Sequence, residues 1–171
     1  MKYLNEDRLG EYLKSIYPNL EFIHDKIVPN SGIRNRPDFR NDDIMLIVEF
    51  DGYQHYTTAS VILTDLIKDT VYTNMGYKIV RIPYFVQLSR IIILNLFNVD
   101  INFDQIYPHG FHDRNAILPA DYCELGIDKF KLDLINFNYI TGDIIKSLRM
   151  KCKCSEDDRL ILPRSLTYLL N

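Results

Sequence analysis

The sequence predicts an α/β fold, a mixed and centrally parallel sheet flanked by helices, with a helical C-terminal module behind it. Three observations predict it. The short β-branched run over 44–50 reads as a strand buried on both faces. A helical period over 61–75 closes on Gly76 and leads into a second apolar run, 77–83. A helix crossing between two strands makes those strands parallel. Helical period then returns over 120–137, 141–151 and 158–170, after a loop-like stretch.

Taken in order, Leu4, Leu9, Tyr12, Leu13 and Ile16 give a first helix over 4–16 that ends before Pro18. Residues 20–28 alternate loosely and predict a first strand, followed by a polar loop over 29–32. Asn41-Asp42-Asp43 makes a hairpin turn into the central strand, so Asp42 and Asp43 are expected as turn residues and not as ligands. In the helix over 61–75 the expected packing face is Leu63, Leu66, Ile67, Thr70 and Val71, with Asp65, Lys68 and Asp69 on the polar side. Spaced three apart, Asp65 and Lys68 make an ordinary helix-surface ion pair. Residues 87–97 predict a further helix over the sheet; 99–119 are loop-like and contain Tyr107-Pro108-His109-Gly110-Phe111-His112. The expected division is a core over 1–98 and a mainly helical module over 99–171, without internal repeats.

Composition narrows the class. At 171 residues, 47% hydrophobic and 25% charged, the chain suits one well-packed domain or one domain with an appendage. Its apolar stretches fall far short of a membrane span and no basic segment leads into one, which predicts a cytoplasmic protein with no membrane partner. A net charge of −3 excludes nucleic-acid binding by overall charge, so any such contact is local. Cys123, Cys152 and Cys154 are expected as reduced thiols. With His109 and His112 they match no zinc-finger or knuckle spacing.

The chemistry concentrates at the end of the central strand, where Glu49 and Asp51 follow the apolar run and Asp38 lies upstream on an extended segment. Acids gathered at one apolar sheet edge repel one another unless a cation sits among them. Oxygen-only ligands select Mg²⁺ or Mn²⁺ over zinc.

Four blocks stand around this point: Arg36-Pro37-Asp38-Phe39, Glu49-x-Asp51-Gly52 with His55 after it, Asp65-x-x-Lys68-Asp69, and Gly76-Tyr77-Lys78-Ile79-Val80-Arg81-Ile82-Pro83. In this order they resemble the PD-(D/E)xK nuclease superfamily, and within it the very-short-patch-repair endonuclease branch, over roughly the first 97 residues. The resemblance implies a restriction-endonuclease-like fold and a DNA endonuclease that uses Mg²⁺, with Mn²⁺ as substitute. Asp38 and Glu49 would be the side-chain ligands and the Phe50 carbonyl a third ligand. Glu6, with Glu11 as its rival, would reach the metal from the first helix. The superfamily motif has a lysine where this chain has Asp51, so the missing charge falls to Lys68 or the missing water-orienting role to Gln54. His55 becomes the candidate general acid or base. Asp51 either binds a second ion or orients His55.

Arg34 and Arg36 flank Asp38 and either steady a phosphate or pair with nearby acids. Lys146, Arg149, Lys151 and Lys153 form the densest basic cluster, either a DNA-backbone contact or a solvated helix face. The expected partner is DNA, with a homodimer or a restriction or repair assembly as further associations. Rival functions are a catalytically inactive nuclease-fold module that binds nucleic acid or a protein, and an RNA-processing enzyme with the same site.

Overall fold

The computed structural model describes residues 4–102, 119–154 and 161–171. Its two compact units interleave in sequence. One comprises Met1–Asp51, Leu63–Ile82 and Leu88–Gln105, the other Gly52–Ile62, Pro83–Gln87 and Ile106–Asn171. Residues 52–62 and 83–87 therefore cluster with the C-terminal part of the chain, although they lie inside the stretch 1–98 that the sequence reads as one core.

The first unit is built on a four-stranded mixed sheet, with β1 (Ile23–His24), β2 (Phe39–Asn41), β3 (Leu46–Asp51) and β4 (Lys78–Pro83) side by side in that order. The β1–β2 and β2–β3 pairs are antiparallel. The parallel pair is therefore β3–β4, joined through a helix as the sequence predicts. It lies at the sheet's edge, and the central pair β2–β3 is antiparallel where a centrally parallel sheet is expected. The turn into β3 is fixed by Asn41, whose Oδ1 accepts the Ile44 N–H at 3.0 Å.

The strand expected over 20–28 is only two residues long. Asp25 adopts a left-handed φ of 48°, which ends the extended backbone. Beyond it the buried Arg40 guanidinium donates to the Lys26 and Ile27 carbonyls at 3.1 and 2.7 Å, so a side chain satisfies groups that a ladder would otherwise pair.

Helix α1 (Glu6–Ile16) starts on Asn5, whose Oδ1 accepts the Arg8 N–H at 3.0 Å, and buries Leu9, Leu13 and Ile16. Val28, Ile47, Tyr72 and Tyr77 form a core cluster of this unit. Gly76, at φ 94°, turns the chain out of the crossover helix and into β4. A last helix, Arg90–Phe97, is capped by Ser89 and is shorter than the expected 87–97.

In the second unit a four-residue helix, α2 (Gln54–Thr57), packs against α5 (Glu124–Asn136). Helices α3 (Ala59–Asn74) and α4 (Arg90–Phe97) fall between α2 and α5 in the chain, and α6 (Thr141–Lys153) follows α5. A Cβ at Gly126 would lie 1.7 Å from the Tyr56 carbonyl oxygen, so the close approach of α5 to the α2 backbone requires glycine there. Tyr56, Tyr84, Phe85, Tyr122 and Phe130 stack into an aromatic core with centroids 4.9–5.8 Å apart. Helix α6 buries Ile144, Leu148 and Cys152. At the C-terminus Arg164–Leu170 is a 3₁₀ turn entered through Pro163, where the sequence predicts a longer helix. Residues 158–160 of that expected helix, and the 107–112 string with His109 and His112, lie outside the described residues. The three cysteines are free thiols. Among the described residues no helix is long and apolar enough to cross a membrane.

Candidate metal centre

Helix α3 differs most from its sequence expectation, and the difference builds the site. Part of its apolar surface is turned outward: Leu63, Leu66 and Ile67 are 51%, 58% and 56% exposed, while Ile62 and Tyr72 are buried and Val71, of the expected packing face, packs against the core cluster. Its polar stripe is turned inward, with Asp65 only 6% and Lys68 only 7% exposed, in line with the buried Tyr72. The expected surface pair of Asp65 with Lys68 is thus replaced by partners on the sheet. Lys68 Nζ lies 2.7 Å from Glu49 Oε1 on β3, and Asp65 Oδ1 lies 3.2 Å from Arg81 Nη2 on β4. Buried charges on β3 and β4 left without these partners would each cost about 3–5 kcal/mol, comparable to what burying two leucines returns. The ion pairs therefore weigh on the packed face of α3 as heavily as its exposed leucines do.

Asp38 precedes β2, and its Oδ2 accepts the Phe50 N–H at 2.7 Å, which ties the acid to the middle strand. Glu49 is 2% exposed and Asp51 fully buried. Burial raises the Asp38 pKa above the usual carboxylate value; the Phe50 hydrogen bond opposes this, while the charges of Glu6 and Asp51 add to it. For Glu49 burial outweighs the attraction of Lys68, Asp38 adds repulsion, and the pKa rises to about 7. The structure therefore brings Asp38, Glu49, Asp51, Lys68 and Glu6 into one electrostatic cluster. Glu6 itself is exposed, with its Oε1 3.4 Å from His24 Nε2.

Arg81, which the sequence offers only as a member of its fourth block and with no role, joins this cluster. Its Nη1 meets Asp51 Oδ1 at 2.6 Å and its Nη2 meets Asp69 Oδ1 at 2.8 Å. Burial alone would lower its pKa, but Asp51, Asp69 and Asp65 outweigh burial and drive it well above the ordinary arginine value. A cation in the apolar strand Lys-Ile-Val-Arg-Ile-Pro is the signal that could have found it. Tyr72 is a second omission. Its pKa is pushed up to about 12 by burial and then by the Glu49 charge, and its hydroxyl donates to the Asn35 carbonyl at 2.9 Å.

Gln54 and His55 begin α2, which belongs to the second unit, with Gln54 exposed and His55 half-buried. Arg36 pairs with Asp25 at 3.1 Å, the acid-pairing alternative, while Arg34 is exposed. Asp42 acts as a turn residue, accepting from Arg40 Nε at 3.0 Å and from the Tyr77 hydroxyl at 2.7 Å. On α6, Lys146 and Lys153 are exposed and Lys151 half-buried. Arg149 instead donates to the Leu169 and Asn171 carbonyls at 3.2 and 2.6 Å, closing the C-terminal turn onto the helix.

The donor set at β3 fits a hard divalent cation. Two carboxylates with raised pKa values, Asp38 and Glu49, are gathered beside an apolar sheet, with no thiol or imidazole of this unit among the groups that act on them. No family model, curated protein or solved structure matches the chain.

Proposed function

We propose that this chain is a divalent-metal-dependent endonuclease that hydrolyses DNA phosphodiester bonds at the Asp38–Glu49 cluster, with Mg²⁺ as its ion and Mn²⁺ as a substitute. The inversion of α3 carries this reading. A helix that exposes Leu66 and Ile67 in order to bring Lys68 to 2.7 Å from Glu49 is organised around the charge of the strand end. Asp38, held through Oδ2 by the Phe50 N–H, and Glu49 would hold the ion, with the Phe50 carbonyl as a further ligand. A bound divalent ion supplies charge relief on the phosphoryl oxygens and a more acidic water.

The chain's own residues would do the rest. Lys68, already paired with Glu49, takes the place of the motif lysine where Asp51 stands, and its ammonium orients the nucleophilic water beside the carboxylate. The resemblance makes His55, four residues after Asp51 in sequence, the candidate general acid or base. Lys146 and Lys153 on α6 and Arg34 before β2 are exposed cations available to backbone phosphates.

A second reading has its own support. Asp51 at the motif-lysine position is bound to Arg81 at 2.6 Å, an arrangement equally suited to an inactive nuclease fold that binds nucleic acid or a protein. Incubation of supercoiled plasmid with Mg²⁺, Mn²⁺ or EDTA, beside the Asp38→Ala variant, separates the two. Metal-dependent nicking or linearisation that disappears in the variant is expected. Full cleavage by Asp38→Ala would sink the site assignment, and DNA retention without cleavage under either metal would favour the binding module.

A further inference from the structure

The Arg81 cluster lies beside the proposed metal ligands and takes no part in the steps assigned above. Arg81 is mostly buried and directs its guanidinium at three carboxylates at once. Nη1 reaches Asp51 Oδ1 at 2.6 Å, Nη2 reaches Asp65 Oδ1 at 3.2 Å and Asp69 Oδ1 at 2.8 Å, and Nε lies 3.1 and 3.0 Å from the two Asp69 oxygens. All three guanidinium nitrogens are engaged, in the planar fork that matches carboxylate geometry. The acids come from two elements, Asp51 from the end of β3 and Asp65 and Asp69 from successive turns of α3, so they converge from two sides on one cation. Converging carboxylates of this kind are also what holds a second divalent ion, and two-ion sites are a common way to clamp a phosphoryl group.

We infer that Arg81 is a positioning residue that occupies the place of a second cation and restricts the centre to a single metal ion, withdrawing Asp51 from the ligand set. This rests on the metal reading of Asp38 and Glu49. The charges make the exchange specific. Three carboxylates facing one guanidinium keep a formal charge of −2, and loss of Arg81 leaves −3, which a hard divalent ion relieves better than water does. The fixed guanidinium keeps that ion out and leaves Asp38 and Glu49 as the site of exchange.

Counting bound Mn²⁺ tests this on the full chain, by calorimetric titration and by loss of the free-ion paramagnetic signal. One Mn²⁺ per chain is expected for the wild type and two for Arg81→Met, which keeps the bulk of the side chain and removes its charge. Adding Asp69→Asn to Arg81→Met should return the count to one. Two ions in the wild type, or one in a folded Arg81→Met, would overturn the inference. If the wild type binds none, the metal assignment of Asp38 and Glu49 fails by itself. In that case one ion in Arg81→Met upholds the displacement by Arg81, and none overturns it.

The single variant Asp69→Asn covers the case in which Arg81→Met does not fold. Its Mn²⁺ affinity should match the wild type, because Asp69 is committed to Arg81. A loss of about tenfold or more would make Asp69 an ion ligand and overturn the assignment.

Discussion

Two buried charge clusters, one in each compact unit, are built from similar parts and end with different balances. In the second unit Lys129 Nζ lies 3.0 Å from Asp133 Oδ2, one helical turn away on α5. The Tyr56 hydroxyl donates to the same oxygen at 2.6 Å, and the ammonium stands 4.5 Å above the Tyr56 ring. One cation meets one anion there. In the first unit Asp38, Glu49, Asp51, Asp65 and Asp69 face Lys68 and Arg81, a formal −3 when all are ionised. Both clusters position helices, α5 on α2 in one case and α3 on the sheet in the other. The first gathers several carboxylates around two cations, and that gathering of acid distinguishes a candidate site from an internal brace.

The largest expected effect is on function. Asp38→Ala and Glu49→Ala should each reduce cleavage to background, with the cooperative thermal transition preserved, as plasmid nicking and circular dichroism would report. In the second unit the effect should fall on stability alone. Asp133→Ala removes the carboxylate that Lys129 and Tyr56 share, and should lower unfolding stability by about 3–5 kcal/mol. The surviving folded protein should cut DNA at the wild-type rate. Loss of cleavage per folded molecule in Asp133→Ala would erase the distinction between the clusters.

A smaller effect follows from the raised pKa of Glu49. Its native value of about 7 exceeds its unfolded value near 4.5, so between these the native state binds more protons than the unfolded chain. Stability in EDTA should therefore be greatest at the acid end of this window and fall as pH rises through it. Glu49→Gln should flatten the slope, and Mg²⁺ should offset the loss at pH 7. Denaturant titrations at pH 5, 6 and 7 would measure this. A wild-type stability that rises over that interval in EDTA, with Glu49→Gln showing the same rise, would remove the electrostatic argument for a cation there.

Much of the first unit was legible in the sequence because its signals are local. The Asn41 turn, the glycine at 76 and the apolar run of β3 each act within a few residues, and each element stands close to where periodicity puts it. The acids Asp38 and Glu49 were legible for the same reason. What was not legible depends on partners far away in the chain. The inward turn of Asp65 and Lys68 on α3 answers to Arg81 and Glu49, the latter 19 positions from Lys68, whereas the Leu63, Leu66 and Ile67 stripe taken alone selects the opposite face. The brevity of β1 depends on Arg40 taking the carbonyls of Lys26 and Ile27. In the second unit, Gly126 reads in sequence as a helix-weakening residue, while its role is set by the Tyr56 backbone 70 positions earlier.

The smallest expected effect is also a direct test of what orients α3. If the ionic stripe sets the packed face, the apolar stripe is dispensable to folding. Ile67→Gln, at a position 56% exposed, should then change unfolding stability by no more than about 0.5 kcal/mol and leave plasmid cleavage unchanged. One position further on, Lys68→Met strands Glu49 in a buried environment and should be felt both in stability and in cleavage. A pair in which Ile67→Gln is the more destabilising would mean that the helix packs as its hydrophobic period suggests, with Leu63, Leu66 and Ile67 inward. Lys68 would then be a surface residue, and the charge it brings to Glu49 would have to come from elsewhere in the chain.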